Sequence, residues 1–213
     1  QGDTLDYASE KVLLTIPVGH KDCFHAAGSM SFDGEGNLYL ATGDNTSPFA
    51  SDGFNPIDER QGRKSFDAQR SAGNTADLRG KILRIKPHDD GTYTCPAGNL
   101  FAAQSVHVTN KQQPTNNKQP KPNNQKQRPE IYVIGCRNPF RISYDDRRKL
   151  LFWGDIGGDA GKSDTARGPM GHDEINRART AGNFGWPYFT GDNQAYRDYD
   201  FESKKSGDYF NPE

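Results

Sequence analysis

Apolar residues are scarce in this chain. Only 32% of its 213 residues are hydrophobic, and no run of about 18 apolar residues occurs, so nothing in it reads as a membrane-spanning helix. An excess of one charge is also missing. The 27 Lys and Arg against 28 Asp and Glu leave a formal net charge of -1, which argues against a nucleic-acid or anionic-membrane partner recruited by bulk electrostatics. There are three cysteines, Cys23, Cys95 and Cys136. Their spacings match no metal or redox motif, and an odd count leaves at least one thiol unpaired within a monomer. Gln1 does not begin a signal peptide, as expected either of a cytosolic chain or of one whose leader has been removed.

What is plentiful is punctuation. The 23 Gly and 13 Pro, with abundant Asn and Asp, make much of the chain turn and loop, while aromatics reach 11%. Short aromatic or β-branched strands between Gly- and Asp-rich turns favour an all-β sandwich or propeller over a helical bundle. The length suits one domain.

The stretch His25 to Asp44, HAAGSMSFDGEGNLYLATGD, organises the rest. Its DGEGN turn predicts a hairpin that brings an imidazole and a carboxylate to the same sheet edge, the pairing of a general base with its orienting acid. Before it, VLLTIPV at 12–18 reads as a strand, with Pro17 marking an edge or an end. After it, residues 45–78 show no sustained period of 2 or 3.6; so long a loop in a compact domain is usually functional or disordered. GKILRIKP with its DDGT turn predicts a further hairpin. Residues 103–127 are nearly all Gln, Asn, Lys, Pro and Thr and read as a solvated polar insertion.

Strands are then expected at EIYVIG and FRISYD, on either side of the corner Cys136-Arg137-Asn138-Pro139, and at LLFWGD. An echo appears here. A strand ending in Asp (MSFD, ISYD), a polar turn and a strand closing on Gly-Asp (LYLATGD, LLFWGD) recur, as in an array of propeller blades. About three such units are countable, against the four to eight of a closed ring. The tail AYRDYDFESKKSGDYFNPE has no clear period.

Five stretches in order carry a resemblance: HAAGSMSFDGEGNLYLATGD, LRGKILRI, RPEIYVIGCRNPFR, GDIGGDA and DEINRARTAGNFGWP. They resemble the glucose/sorbosone dehydrogenase family, six-bladed β-propeller quinoproteins that oxidise sugars with pyrroloquinoline quinone (PQQ) and calcium. The likeness covers about 160 of the 213 residues. It implies an all-β propeller of the quinoprotein sugar dehydrogenase type, with about half of the blades in this chain, forming one partial domain over 1–213.

The resemblance implies the following roles. His25 is the general base that takes the proton of the sugar's anomeric hydroxyl while hydride passes to the quinone. Asp44 holds the imidazole tautomer. Arg137 contacts the quinone oxygens, where a planar cation suits the charge gained on reduction. Asn138 sits beside it in the cofactor site. Gly157 and Gly158 offer backbone carbonyls to calcium. Also implied are a sugar substrate, a separate electron acceptor, a periplasmic or extracellular location, and possible completion of the blades by another chain.

The chain departs from the family pattern in three ways. Gly158 stands where the family usually has proline. The 14 residues from Asp159 to His172 are expected to keep Asp173 and Glu174 away from the site. The basic residues that usually hold the PQQ carboxylates belong to blades outside this chain, which alone is then expected to be inactive. Convergence of His25 and Arg137 would bring Cys23 and Cys136 together, predicting a disulfide between them and leaving Cys95 free. Each residue also has an ordinary role open to it: His25 at a strand end, Asp44 in a turn, Arg137 paired with a loop carboxylate such as Glu130. Two other function classes remain: a non-catalytic propeller acting as a binding or assembly module, and a calcium-dependent lactonase, against which Arg137 speaks.

Overall fold

The computed structural model describes residues 4, 6–19, 24–109 and 126–211. The regular structure among these residues is β-strand with three short 3-10 turns. The first sheet is built on β1 (Ala27–Phe32), β2 (Leu38–Thr42) and β3 (Lys81–Pro87), successive antiparallel neighbours. Near its end β3 pairs with β4 (Tyr93–Cys95), which pairs with β5 (Val106–Val108). The first half of β3 pairs instead with β6 (Ile131–Ile134). Thus the KILRIKP strand belongs to the first sheet and does not open a unit of its own, because its register places Leu83 opposite Leu40 and Ile85 opposite Leu38.

The second sheet is β7 (Pro139–Asp145), β8 (Leu150–Asp155) and β9 (Glu174–Ala178), antiparallel throughout. Its first strand lies beside the first strand of the other sheet. Ser29 Oγ accepts the Ile142 amide at 3.1 Å and Ser31 Oγ that of Tyr144 at 3.2 Å. Two sheets meeting by their leading strands are adjacent blades of a propeller.

Period-2 alternation explains the packing. From β2 and β3, Tyr39, Ala41 and Ile82 face the second sheet and join Tyr132, Val133, Leu151 and Trp153 in one cluster. Tyr39 stacks on Tyr144 with ring centroids 5.0 Å apart, and Phe184 meets Trp153 edge-on at 4.6 Å. The alternate residues Leu38, Leu40, Leu83 and Ile85 face away and are covered in part by Leu13, Leu14 and Ile16. Those three come from the segment expected to be a strand. It packs as irregular chain, its apolar side chains laid against the first sheet.

Three small elements complete the described chain. β10 (Gly182–Asn183) adds in parallel to the outer edge of β6. β11 (Phe189–Thr190) pairs with β12 (Gln194–Ala195), and β13 (Arg197–Asp200) with β14 (Lys205–Tyr209). The last hairpin was not legible in the tail because both of its strands are largely exposed and polar. β5 lies inside the stretch read as insertion, most of whose remainder is outside the described residues.

Candidate active site

The Asp33 carboxylate fixes the turn that begins the site. Its Oδ1 accepts the amides of Glu35 and Asn37 at 3.0 and 2.9 Å, and Gly36 takes φ +80°, the left-handed conformation that favours glycine. The hairpin returns the chain to its start. Gly43 N donates to Ala26 O at 3.1 Å and Asn45 N to His25 O at 3.0 Å. A Cβ on Gly43 would run into the His25 carbonyl, so only glycine lets the two strands approach this closely.

His25 Nδ1 lies 2.8 Å from Asp44 Oδ1. The same oxygen accepts the Thr46 amide at 2.9 Å and the Thr46 hydroxyl at 2.7 Å, while Oδ2 accepts Trp186 Nε1 at 2.8 Å. Burial alone would raise the pKa of this fully enclosed carboxyl. The bonds from His25 and Thr46 and the charge of the imidazole outweigh burial and hold it below the usual carboxylate range. The imidazole is 11% exposed, and the bond at Nδ1 leaves Nε2 to exchange a proton.

Arg137 is tied to this pair through the backbone, its carbonyl accepting the Asp44 amide at 2.8 Å. Its guanidinium Cζ stands 5.8 Å from the centroid of the Trp186 ring. Nη1 donates to Ile156 O at 3.1 Å and Nη2 to Asp159 Oδ2 at 3.0 Å. The ion pair is thus with Asp159; Glu130 is taken by Arg128 at 2.7 Å. The structure brings His25, Asp44 and Arg137 together, with Asn138 next to Arg137. Asn138 Oδ1 is buried and has no hydrogen-bond partner among the described residues.

Asp155 closes the corner from the second sheet, accepting the amides of Asn138 at 2.6 Å and Arg137 at 3.2 Å. Burial pushes its pKa up to about 7, against those amides and with the help of the nearby Glu174 charge. The register sets Glu174 directly across from it. Asp155, Glu174, His172, Arg137 and Trp186 line a small cavity of about 10 Å³, room for roughly one water.

Contrary to expectation, the long connection does not hold Asp173 and Glu174 away. Asp173 Oδ1 accepts the Gly157 amide at 3.0 Å and Glu174 Oε1 the Gly191 amide at 2.6 Å. The connection folds down on the glycine pair: a Cβ on Gly157 would meet the His172 carbonyl, and one on Gly171 the Gly158 carbonyl. Calcium seeks six to eight oxygens. The Gly158 oxygen is covered by Gly171, and among the described residues no group of three or more His, Cys, Asp or Glu converges. The glycine pair as placed therefore does not fit calcium. Of the residues expected to hold a quinone, Arg137 lines the small cavity, whereas His25 and Asn138 are not among its lining residues.

Two contributors were missed. Trp186, whose indole N–H reaches Asp44, has one cue in the sequence, its place in the same motif set as His25 and Arg137. Asp155 was legible only as the end of a strand. As for the thiols, Cys23 lies outside the described residues, and Cys136, like Cys95, is free and buried. Lys81 is also wholly buried, its ammonium donating to the carbonyls of Ser71 at 2.6 Å, Arg79 at 2.8 Å and Ala72 at 3.1 Å, which fastens the long loop to the first sheet.

The family model described as Glucose / Sorbosone dehydrogenase matches residues 2–212. The chain is 30% identical over 164 residues to the HIPL2 protein of Arabidopsis thaliana, across 77% of this chain and 18% of that protein. It is 27% identical over 168 residues to the HIPL1 protein of the same plant, across 78% and 19%. The chain thus spans about a fifth of the length of the curated relatives it matches. A solved glucose dehydrogenase from Thermus thermophilus is 24% identical with a TM-score of 0.49, over 83% of this chain and 38% of that one. The soluble aldose sugar dehydrogenase of Escherichia coli is also 24% identical, with a TM-score of 0.42 over 77% and 31%.

Proposed function

Since the chain belongs to the glucose/sorbosone dehydrogenase family, we propose that it serves the oxidation of a sugar or related alcohol with PQQ as the oxidant and His25 as the base. The observation that carries this reading is the His25 Nδ1 to Asp44 Oδ1 bond at 2.8 Å, joined by the Asp44 amide to the Arg137 carbonyl. When bound, PQQ would supply a two-electron acceptor for the hydride.

The chain's own residues do the rest. His25 Nε2 takes the hydroxyl proton as the C–H bond breaks. Asp44, kept ionised by its donors, fixes the tautomer with the proton on Nδ1 and stabilises the imidazolium that results. Arg137 and Asn138 would hold the acceptor, the guanidinium facing the side where negative charge develops. Calcium enters no step, because the Gly157–Gly158 carbonyls as placed do not cage it.

Reduction of a dye by aldoses, with PQQ and calcium supplied, tests the reading. Turnover that disappears in His25→Gln supports it; PQQ binding without turnover in wild type counts against it. The same glycine packing favours a second reading, a non-catalytic propeller module, since a covered Gly158 oxygen suits a structural loop. That module would show no PQQ-dependent turnover under any calcium supply.

A further inference from the structure

The Arg137 side chain is 7% exposed, whereas the Asp159 side chain that pairs with it is 62% exposed. The asymmetry matters. A guanidinium this buried needs a counter-charge, but a carboxylate standing mostly in water loses little by letting go. We propose that Asp159 is a built-in counter-ion that an anionic ligand displaces to reach Arg137, so that the site admits anions there and turns neutral ligands away.

Three features support this. First, the other carboxylate at this corner, Asp155, accepts from the backbone amides of Arg137 and Asn138, which leaves Asp159 as the carboxylate bonded to the guanidinium. Second, the backbone around Asp159 is pinned on both sides. Gly158 is packed on Gly171, Ala160 N donates to Gly53 O at 3.0 Å, and Gly171 N donates to Ala160 O at 2.8 Å. Exchange therefore needs only rotation of the Asp159 side chain into solvent, not opening of the loop.

Third, Nη2 once vacated by Asp159 would meet a ligand that offers an anionic oxygen. A carboxylate oxygen is the acceptor that a freed guanidinium N–H binds most strongly. A neutral sugar hydroxyl cannot replace the Asp159 charge, so an anionic group is the better competitor for Arg137. Only the identification of that group with PQQ rests on the quinone reading.

The test is titration of wild type, Asp159→Asn, and the double variant Asp159→Asn/Arg137→Gln with PQQ and, separately, with oxalate, followed by tryptophan fluorescence at low ionic strength. Asp159 is exposed, and asparagine keeps its shape, so thermal melting should confirm a folded variant. Asp159→Asn should bind each probe roughly five-fold more tightly than wild type, the scale of an exposed ion pair, and the double variant should lose that gain. Equal or weaker binding of both probes by Asp159→Asn, or no detectable binding to it, overturns the proposal. A gain for oxalate with no PQQ binding to any variant supports the counter-ion and overturns the quinone reading instead.

Discussion

The indole N–H of Trp186 donates to Asp44 Oδ2 at 2.8 Å across 142 residues of sequence. With Thr46 and His25 on the other oxygen, this bond leaves Asp44 no freedom to turn. The orientation of His25 is therefore set by a tryptophan far from it in sequence, one that also lies beside Arg137.

Trp186→Phe should keep the ring packing and lose the donor. Leaving one oxygen of a buried carboxylate unpaired costs about 1–3 kcal/mol, which urea denaturation would read. If turnover is present, its pH profile should shift as well, because Asp44 then holds the imidazolium less firmly. An unchanged denaturation midpoint would mean that water replaces the indole.

His25→Gln and Asp44→Asn test the proposed base and its orienting partner. The first removes the proton acceptor and should lower dye reduction by about 10²- to 10⁴-fold. The second should lower it by a similar factor, because the amide can also present an N–H to Nδ1 and so favour the wrong tautomer. A variant of His25 that retains most of the rate would assign the base elsewhere.

Asp155 predicts a pH dependence of stability. Its carboxyl is raised from 3.8 to about 7 in the folded chain, so the native state binds the extra proton between those values. Stability from this group is fully present below about pH 4 and is lost as pH rises through about 7, by at most about 4 kcal/mol. Thermal melts of Asp155→Asn should lack that decline. An identical slope in both proteins would place the titration on another group.

Lys81→Met should keep much of the stem's volume while removing the donor to three carbonyls, two of them buried. The expected loss is about 3 kcal/mol or more. Protease sensitivity should appear first between residues 45 and 78, where the loop is no longer fastened.

The two-residue period of Tyr39 and Ala41 against Leu38 and Leu40, and the repeated Gly-Asp strand endings at Asp44 and Asp155, make the paired sheets readable from the order of residues alone. The pairing of His25 with Asp44 is readable because one hairpin returns the chain to its start, whereas Arg137 is singled out only by the family resemblance. Other features depend on contacts between distant residues. The Arg137–Asp159 pair is 22 residues apart, and the covering of Gly158 by Gly171 depends on how the connection folds back. β13 and β14 lack an apolar face, so no periodicity announces them.

The parallel addition of β10 to β6 reverses the order in which the chain is written. Phe184 and Trp186 follow the whole second sheet in sequence, yet Trp186 finishes against Asp44, at the end of the first sheet's leading hairpin. A nascent chain would therefore expose the site's carboxylate with one oxygen uncapped until all of the second sheet had been synthesised. Full capping of the His25–Asp44 pair is a late event in such a chain, and it reports that both sheets are in place.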